Sequence, residues 1–233
     1  MTIESGPLGA HPPVADDVNS SKRRYAGASA EERQAQRRER LLDAAFDVFG
    51  TEGYTNATMR LICAKARLTE RYFYENFDSV HALFIMVHKR VSAQCADLIE
   101  QRRDAVSDSD PLAKSRVSVH AFLEFIKEDP RRSRIMLTDA VTTGLASIHN
   151  VNARVSSYVP FLRARIDGIF PNLDLDLDLE LVASGLIGLI IHTATLWAER
   201  GFDTPVDKVL DHIMFAWKGL AMWLAENNKP PKA

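Results

Sequence analysis

The side chains best suited to chemistry in this 233-residue chain lie in one short stretch. Four polar or aromatic residues follow one another closely there: Glu70, Arg71, Tyr72 and Tyr74. An arginine can donate two hydrogen bonds to a guanine, and a glutamate can accept one from a cytosine. A tyrosine hydroxyl can reach a phosphate while its ring touches a thymine methyl group. Because Leu68, Phe73 and Phe77 are left to pack inward, the stretch predicts an exposed face that contacts DNA bases.

Two short helices must position this face. Thr58 predicts the start of the first helix and Thr69 the start of the second, with a break near Arg67 between them. A short helix, a tight turn and a second short helix form a helix-turn-helix, in which the second helix lies in the major groove. The sequence therefore predicts a DNA-binding unit, and the alternative is a small helical core with exposed tyrosines.

The flanking segments predict two longer helices. Ser29 and Glu32 have the spacing of a capping box, so a first helix should begin there and end at Gly50 and Gly53. Asp78-Ser79 should begin a connector helix over residues 79–103, which carries an apolar stripe. Residues 1–28 mix Gly, Pro, Ser and Ala without periodicity and are predicted to form a disordered arm.

Residues 36–85 contain these motifs: Leu42 to Phe46 with Phe49, Gly53-Tyr54, Thr58, Ile62, the turn Ala66 to Thr69, and Tyr74 to Phe77 with Leu83. In combination they resemble the TetR family of bacterial transcriptional regulators. The resemblance implies that Thr58 and Tyr74 contact the DNA backbone, and that Arg60 and residues 69–72 face the bases. The residues predicted to contact DNA are Arg37, Thr58, Arg60, Thr69, Glu70, Arg71, Tyr72, Tyr74 and Asn76.

Three positions depart from the family pattern. Arg67 stands where the turn glycine is usual, and a positive φ there would cost about 1 kcal/mol. Val80 replaces a phosphate-binding lysine, which should lower the salt dependence of DNA binding by about one unit. Cys63 replaces an alanine and is expected to be a buried small hydrophobe rather than a redox sensor. The basic residues that could compensate for Val80 are Lys22, Arg23, Arg24, Arg37, Arg38 and Arg40.

Charge is distributed unevenly along the chain, although the formal net charge is only −2. Residues 22–103 hold 15 Lys and Arg against 11 Asp and Glu, whereas residues 104–233 hold 14 against 17. A basic N-terminal third is the pattern expected of a segment that meets a polyanion, although the asymmetry is modest and chance fluctuation is the alternative. Two cysteines and an N-terminus without an apolar run favour a reducing, cytoplasmic location.

The rest of the chain has helical periodicity, so the predicted fold class is all-α. The expected helices are 111–128, 131–140, 150–169 with a kink at Pro160, 179–200 and 205–226. Arg131, Arg132 and Arg134 are expected to lie in a solvated helix start, and the alternative is that they bind an anion. The predicted domains are an arm 1–28, a three-helix DNA-binding domain 29–78, and a helical effector-binding and dimerisation domain 79–233.

Residues 181–198 contain no Asp, Glu, Lys or Arg, and this uncharged run is just long enough to span a membrane. Ser184, His192 and the flanking Glu199-Arg200 pair argue against a membrane span. We therefore predict that helices 179–200 and 205–226 pair with those of a second subunit in a homodimer. An intramolecular core helix is the alternative.

The predicted partners are a palindromic double-stranded DNA operator, a second copy of the chain and a small effector. Because the body is rich in apolar helices, the effector should be largely apolar. Its binding should shift the connector helix, so that a repressor leaves its operator. The candidate pocket residues are Phe122, Phe125, Ile126, Met136, Tyr158, Phe161, Leu162, His192 and Trp197. Each of them, taken singly, is more typical of the ordinary core than of a ligand pocket.

Catalytic motifs are missing from the sequence. It has no Gly-rich phosphate loop, nucleophile elbow or His-Glu-x-x-His motif, and its seven histidines show no metal-ligand spacing. We therefore predict that the protein is not an enzyme and uses no cofactor or metal. The alternatives are an architectural DNA-binding protein without a ligand, or a helical enzyme or membrane-associated protein that lacks a recognisable catalytic motif.

Overall fold

Helices supply the regular structure of the described residues. The computed structural model describes residues 29–106, 111–144, 159–160, 162–163, 166–167 and 177–227. No strand occurs within these ranges. The all-α fold class is therefore confirmed. The chain divides into two compact units, residues 1–36 and residues 37–233. The predicted domain boundaries at residues 28 and 78 stay predictions.

In the N-terminal region, two short helices lie between two long ones. Their bounds are α1 Ala30–Glu52, α2 Met59–Ala66, α3 Glu70–Tyr74 and α4 Val80–Asp104, with a 3₁₀ turn at Tyr54–Asn56. The later helices are α5 Pro111–Glu128, α6 Pro130–Ser133, α7 Asp139–Thr142, α8 Leu179–Glu199 and α9 Val206–Asn227. A π-helical turn, Arg134–Thr138, connects α6 to α7.

Helix α1 begins at the capping box that the sequence predicts. The Ser29 amide donates to Glu32 Oε2 over 2.6 Å, and the Glu32 amide donates to Ser29 Oγ over 3.0 Å. The helix ends at Glu52, and Gly53 follows with a φ of 81°. Gly50 does not end the helix, contrary to the prediction. A Cβ atom at Gly50 would lie 2.3 Å from Arg131 Cβ, so close packing accounts for this glycine.

Helices α2 and α3 are joined by a left-handed residue, as the resemblance suggests. Thr58 Oγ1 accepts a hydrogen bond from the Leu61 amide over 3.2 Å and caps α2. Arg67 has a φ of 53°. Arg40 Nη2 donates to the carbonyl oxygens of Ala66 and Arg67 over 2.6 and 3.3 Å, which stabilises the turn despite its strain. Thr69 precedes α3 but makes no capping hydrogen bond.

The body follows the predicted helices closely where the structure describes it. The predicted ranges 111–128, 179–200 and 205–226 correspond to α5, α8 and α9. The predicted helix 131–140 is interrupted by the π-helical turn, a feature often found at functional positions. Most of the predicted helix 150–169 lies outside the described residues.

One apolar cluster extends from α1 to α9. Its largest fully buried side chains include Phe49, Phe73, Phe84, Ile126 and Ile213. Phe84 packs edge-on against both Phe49 and Tyr54, with 5.0 Å between ring centroids in each pair. A smaller cluster contains Leu162, Ile166, Leu179, Ala183 and Leu224.

Helix α8 is long and apolar enough to cross a membrane, judged by length and composition alone. Asp178 caps it by accepting hydrogen bonds from the amides of Glu180 and Leu181. Ala183, Ala194 and Trp197 on this helix are buried, but most of its residues are not, and Leu181 is 71% exposed. Helix α8 by itself is thus weak evidence for a membrane.

Candidate nucleic-acid interface

The exposed side of α2 and α3 forms the recognition surface, which we define by Arg60, Glu70, Arg71 and Tyr74. The side chains of Arg60 and Arg71 are 87% and 84% exposed. Tyr74 is 61% exposed. These exposed groups comprise guanidinium, carboxylate and phenol side chains, all of which can hydrogen-bond DNA bases or phosphates.

Aromatic packing holds α3 in place beneath this surface. Phe73 and Phe77 are buried, with their ring centroids 6.1 Å apart. The Phe73 ring also packs edge-on against Tyr74, at 5.5 Å and 83°. Arg38, one of the basic residues considered as a substitute for the missing lysine, lies 5.0 Å from the centroid of Phe77. The short helix α3 is thus stabilised by tertiary packing rather than by its own length.

Carboxylates accompany the arginines of the recognition surface. Arg60 Nε lies 3.4 Å from Glu70 Oε1, and Arg71 Nε lies 3.1 Å from Glu75 Oε1. Arg37 Nη2 lies 4.0 Å from the other carboxylate oxygen of Glu75. Glu75 is not among the residues predicted from the sequence, although its spacing of four residues from Arg71 on a helix is the signal of an ion pair.

Arg37 packs on α3 instead of extending freely from α1. Its guanidinium lies over the ring of Tyr72, 4.6 Å from the centroid, and its side chain is 23% exposed. Its Nε atom is buried and has no hydrogen-bond partner among the described residues. Tyr72 is half-buried beneath it. Arg37 and Tyr72 are thus placed next to the recognition surface, but with less exposed area than Arg60 and Arg71.

The remaining predicted DNA contacts lie around this surface. Thr58 and Thr69 are exposed at the starts of α2 and α3. Asn76 Nδ2 donates to the Tyr72 carbonyl over 2.7 Å, so the amide closes the end of α3. Lys65, which the sequence analysis did not single out, is 54% exposed and lies 3.1 Å from Asp47. Lys22, Arg23 and Arg24 lie outside the described residues.

Cys63 lies behind the recognition surface and is 4% exposed. Burial raises the pKa of its thiol, and the negative charge of Glu70 raises it further. A thiol with a raised pKa is a poor nucleophile, since the thiolate is the reactive form. Cys63 therefore packs as a small apolar residue, as predicted.

Three residues between α5 and α8 contact the end of α1 or the 3₁₀ turn that follows it, and we call them the α1 clamp: Arg131, Arg134 and Asp139. Arg131 donates to Asp129 Oδ2 over 2.7 Å and also to Asp47. Its guanidinium lies over the ring of Phe46, 4.7 Å from the centroid. Hydrogen bonding from Arg131 lowers the pKa of the Asp129 carboxyl. The predicted solvated helix start is therefore wrong for Arg131.

Arg134 and Asp139 complete the α1 clamp. Arg134 donates to the carbonyl oxygens of Thr51 and Glu52 over 2.7 and 3.3 Å, at the negative end of α1. Asp139 Oδ2 accepts a hydrogen bond from the Tyr54 amide over 3.0 Å. Burial raises the pKa of Asp139, against smaller opposing effects of that hydrogen bond and of Arg134. The prediction of a solvated side chain is thus also wrong for Arg134. The guanidinium of Arg132 packs over the ring of Phe125, 4.3 Å from the centroid.

The candidate pocket residues do not all lie in one cluster of the described structure. Phe125, Ile126 and Trp197 are buried in the large apolar cluster, and Phe122 and Met136 pack against it. Leu162 belongs to the smaller cluster, and His192 is exposed on α8. Tyr158 and the side chain of Phe161 lie outside the described residues. The effector pocket thus stays a prediction.

Comparisons with known proteins agree with this geometry. Residues 41–87 match the family model of bacterial regulatory proteins of the tetR family. The chain is 29% identical over 196 residues to the HTH-type transcriptional activator FasR of Mycolicibacterium smegmatis, which covers 80% of this chain and 84% of FasR.

Solved structures share the fold. A TetR-like transcriptional regulator from Rhodococcus sp. RHA1 superposes with a TM-score of 0.62 at 24% identity, over 80% of this chain and 97% of that one. The fatty acid degradation regulator FadR from Bacillus halodurans gives a TM-score of 0.65 at 15% identity, over 76% of this chain and 92% of that one.

Regulators of this kind are soluble DNA-binding proteins that typically dimerise and bind small-molecule ligands. The family model covers the segment that carries the recognition surface, and the structural likeness extends over the helical body. Residues 41–87 form a DNA-binding domain of the tetR family of bacterial regulatory proteins, and the chain is a TetR-like DNA-binding transcriptional regulator.

Proposed function

We propose that this regulator is a cytoplasmic homodimer that represses transcription from a palindromic operator and leaves it when a small, largely apolar ligand binds. The observation that carries the proposal is the recognition surface, where two arginines stand almost fully exposed on a helix-turn-helix. Exposed guanidinium groups on such a unit are the groups that fork onto guanine in a major groove.

Individual residues have different roles in this proposal. Arg60, Glu70 and Arg71 contact base edges, because their polar ends are exposed on α2 and α3. Thr69 and Tyr74 contact phosphates, since the exposed Thr69 side chain makes no capping hydrogen bond and Tyr74 extends from the surface. Arg37, Thr58, Tyr72 and Asn76 hold α2 and α3 in position and add backbone contacts.

Dimerisation through α8 and α9 is supported by apolar side chains that the single chain leaves exposed. Phe215 is 78% exposed and Met222 is 65% exposed on α9, and Leu181 is 71% exposed on α8. Phe215 and Met222 are seven residues apart, which places them on one face of α9, and exposed large apolar side chains favour burial against another protein surface. A two-fold dimer would place two recognition surfaces about 34 Å apart, or a multiple of that distance, as a palindrome requires.

The α1 clamp offers a route from the body to the recognition surface. It joins α6 and α7 to the end of α1, and α1 in turn contacts the α2–α3 turn through Arg40. A ligand can release DNA only if it binds one of two conformations more tightly. We propose that the ligand lies among the apolar helices of the body and biases this contact together with α4.

Activation of transcription, instead of repression, is the second candidate function, since the relative FasR is named a transcriptional activator. The same recognition surface serves either direction, because blocking and recruiting polymerase both begin with operator binding. Transcription in vitro from an operator placed upstream of or across a promoter distinguishes them. Repression is expected, and increased transcript from the upstream operator would establish activation instead.

Selection of random duplexes by the purified protein tests the DNA half of the proposal. We expect an enriched palindrome, together with a dimeric mass in light scattering. Adding extracts of small metabolites to the complex tests the ligand half. Operator affinity that stays unchanged while a ligand is demonstrably bound in the body would reject the coupling, and a strictly monomeric chain would reject the dimer.

A further inference from the structure

Glu75 connects two arginines that approach it from different helices. Its Oε1 atom lies 3.1 Å from Arg71 Nε on α3, and its Oε2 atom lies 4.0 Å from Arg37 Nη2 on α1. Both carboxylate oxygens thus face a guanidinium group. Arg71 is a main base-contacting residue of the proposed function, and the Arg37 guanidinium lies over Tyr72. Glu75 therefore acts on the charge of the surface that meets DNA.

Helix stability alone gives little reason for a carboxylate at this position. Glu75 is the C-cap residue of α3, where the helix dipole favours positive charge and disfavours negative charge. Its ion pair with Arg71 joins side chains that are 34% and 84% exposed, and such pairs contribute little to folding. The pair is weak enough to be broken when Arg71 finds a better partner.

We propose that Glu75 is a specificity-determining residue, whose carboxylate holds Arg71 back from DNA that offers it no matching base. This inference rests on the proposed function, in which α3 lies in the major groove. It adds that the acidic residue, which itself makes no base contact, lowers binding to unrelated DNA more than binding to the operator.

The two kinds of DNA differ in what they offer Arg71. On the operator, a guanine edge accepts both guanidinium donors in place of the carboxylate. On unrelated DNA, Arg71 can reach only a phosphate, and the carboxylate competes for it while repelling the same phosphates. Removing the charge at Glu75 therefore increases the affinity for unrelated DNA, because the released Arg71 can make about one additional phosphate contact.

The test compares Glu75→Gln with the wild-type dimer on a selected operator and on a random duplex over a series of salt concentrations. We expect the affinity of the variant for random DNA to rise about five- to tenfold at about 0.1 M salt. The slope of log K against log salt should steepen by about 0.9 on random DNA. Operator affinity should change less, so the discrimination ratio should fall.

Glu128→Gln is the matched control, because Glu128 pairs with Arg132 at the same spacing of four residues over 2.7 Å, outside the recognition surface. It makes the same change in net charge and should leave both affinities at wild-type values. The combination Arg71→Gln with Glu75→Gln separates the mechanism further. Without Arg71, loss of the Glu75 charge should increase random-DNA affinity by less than half the factor seen in the single variant.

The outcomes separate the two levels of the proposal. A wild-type protein that binds operator and random DNA equally would overturn the proposed function, and this inference with it. A wild-type protein that discriminates, together with a Glu75→Gln variant of equal discrimination and equal salt slope, would overturn the inference alone. Equal thermal unfolding midpoints of the two proteins exclude a folding defect as the cause of any change.

Discussion

Arginines in two regions of this molecule have opposite surroundings. On the recognition surface, Arg60 and Arg71 are more than four-fifths exposed and pair with Glu70 and Glu75, whose side chains are 53% and 34% exposed. In the α1 clamp, Arg131 is 39% exposed and binds Asp129 and Asp47, while Arg134 binds two main-chain carbonyl oxygens. One residue type therefore makes exchangeable contacts in the first region and fixed contacts in the second.

The two regions differ in the cost of leaving the arginine's partner group without its hydrogen bonds. A surface carboxylate that loses its partner is solvated by water, so the exchange costs little. A partly buried carboxylate or a helix carbonyl that loses its partner costs roughly 1 to 3 kcal/mol. Arginines that bind DNA must be able to leave their partners in the protein, whereas arginines that join two parts of a fold must not. The following variants test this division.

The largest effect on stability is expected for Gly53→Ala. Gly53 has a φ of 81°, and an added Cβ atom would lie 2.5 Å from Arg134 Nη2. Backbone strain of about 1 to 3 kcal/mol is expected from the φ angle, and displacement of Arg134 adds to it. Because about 1 kcal/mol shifts the unfolding midpoint by roughly 2 to 4 °C in a chain of this size, thermal unfolding measures the loss.

Gly201→Ala is the matched control for the clamp. Gly201 also has a positive φ, of 70°, but no atom lies within 4 Å of an added Cβ. Its substitution should cost only the backbone strain, on the order of 1 kcal/mol. If both variants lose the same stability, contact with Arg134 contributes nothing and the clamp is not a fixed contact.

Arg71→Ala should separate DNA recognition from folding. Loss of a bidentate base contact costs about 1 to 3 kcal/mol of discrimination, which is roughly a 5- to 150-fold change in the operator-to-random ratio. The free energy of unfolding should change by less than about 0.5 kcal/mol, because the side chain is 84% exposed. Competition binding and urea unfolding measure the two quantities. A variant that keeps its discrimination contradicts the assignment of Arg71 as a base contact.

Local signals in the sequence predict the parts of the fold that neighbouring residues determine. The caps at Ser29, Thr58 and Ser79 are present because a hydroxyl and an amide three residues away are sufficient to form them. The recognition surface follows from the same short stretch, since exposed and buried residues alternate with the helix period. Its resemblance to a known family also located the left-handed turn at Arg67.

Contacts between distant residues escaped prediction. Arg131 and Arg134 bind groups more than 80 positions earlier in the chain, so nothing in their own neighbourhood distinguishes them from solvated arginines. A glycine at position 50 is typical of a helix end, but here a glycine is needed because the Arg131 side chain packs against it. Arg40 holds the turn at Arg67 from α1, and the turn sequence alone contains no sign of it.

Arg131→Gln should destabilise the fold and leave DNA discrimination unchanged, the reverse of Arg71→Ala. Asp129, 17% exposed, would lose its charged partner, at a cost of about 1 to 2 kcal/mol at pH 7. Hydrogen bonding from Arg131 lowers the folded-state pKa of Asp129, so its stabilising effect is complete above the ordinary pKa and disappears as the pH falls through the folded value. The stability difference from wild type should therefore shrink below about pH 4, in urea unfolding followed across pH.

The smallest effect is expected for Asp139→Asn, which tests whether the clamp needs the negative charge or only the acceptor. The amide oxygen of the new side chain can still accept from the Tyr54 amide, now bound by Asp139 over 3.0 Å. Because burial raises the folded-state pKa of Asp139, its ionised form costs stability at neutral pH, and this cost disappears as the pH falls through that value. The variant should therefore be as stable as wild type at pH 7, or up to about 1 kcal/mol more stable, with the advantage lost in acid.

Asp139→Ala, which leaves the Tyr54 amide without an acceptor, should instead lose about 1 to 3 kcal/mol. If both variants lose equal stability in urea unfolding, attraction between Asp139 and Arg134 outweighs the burial cost, and the clamp is held by charge and not by hydrogen bonds to the main chain.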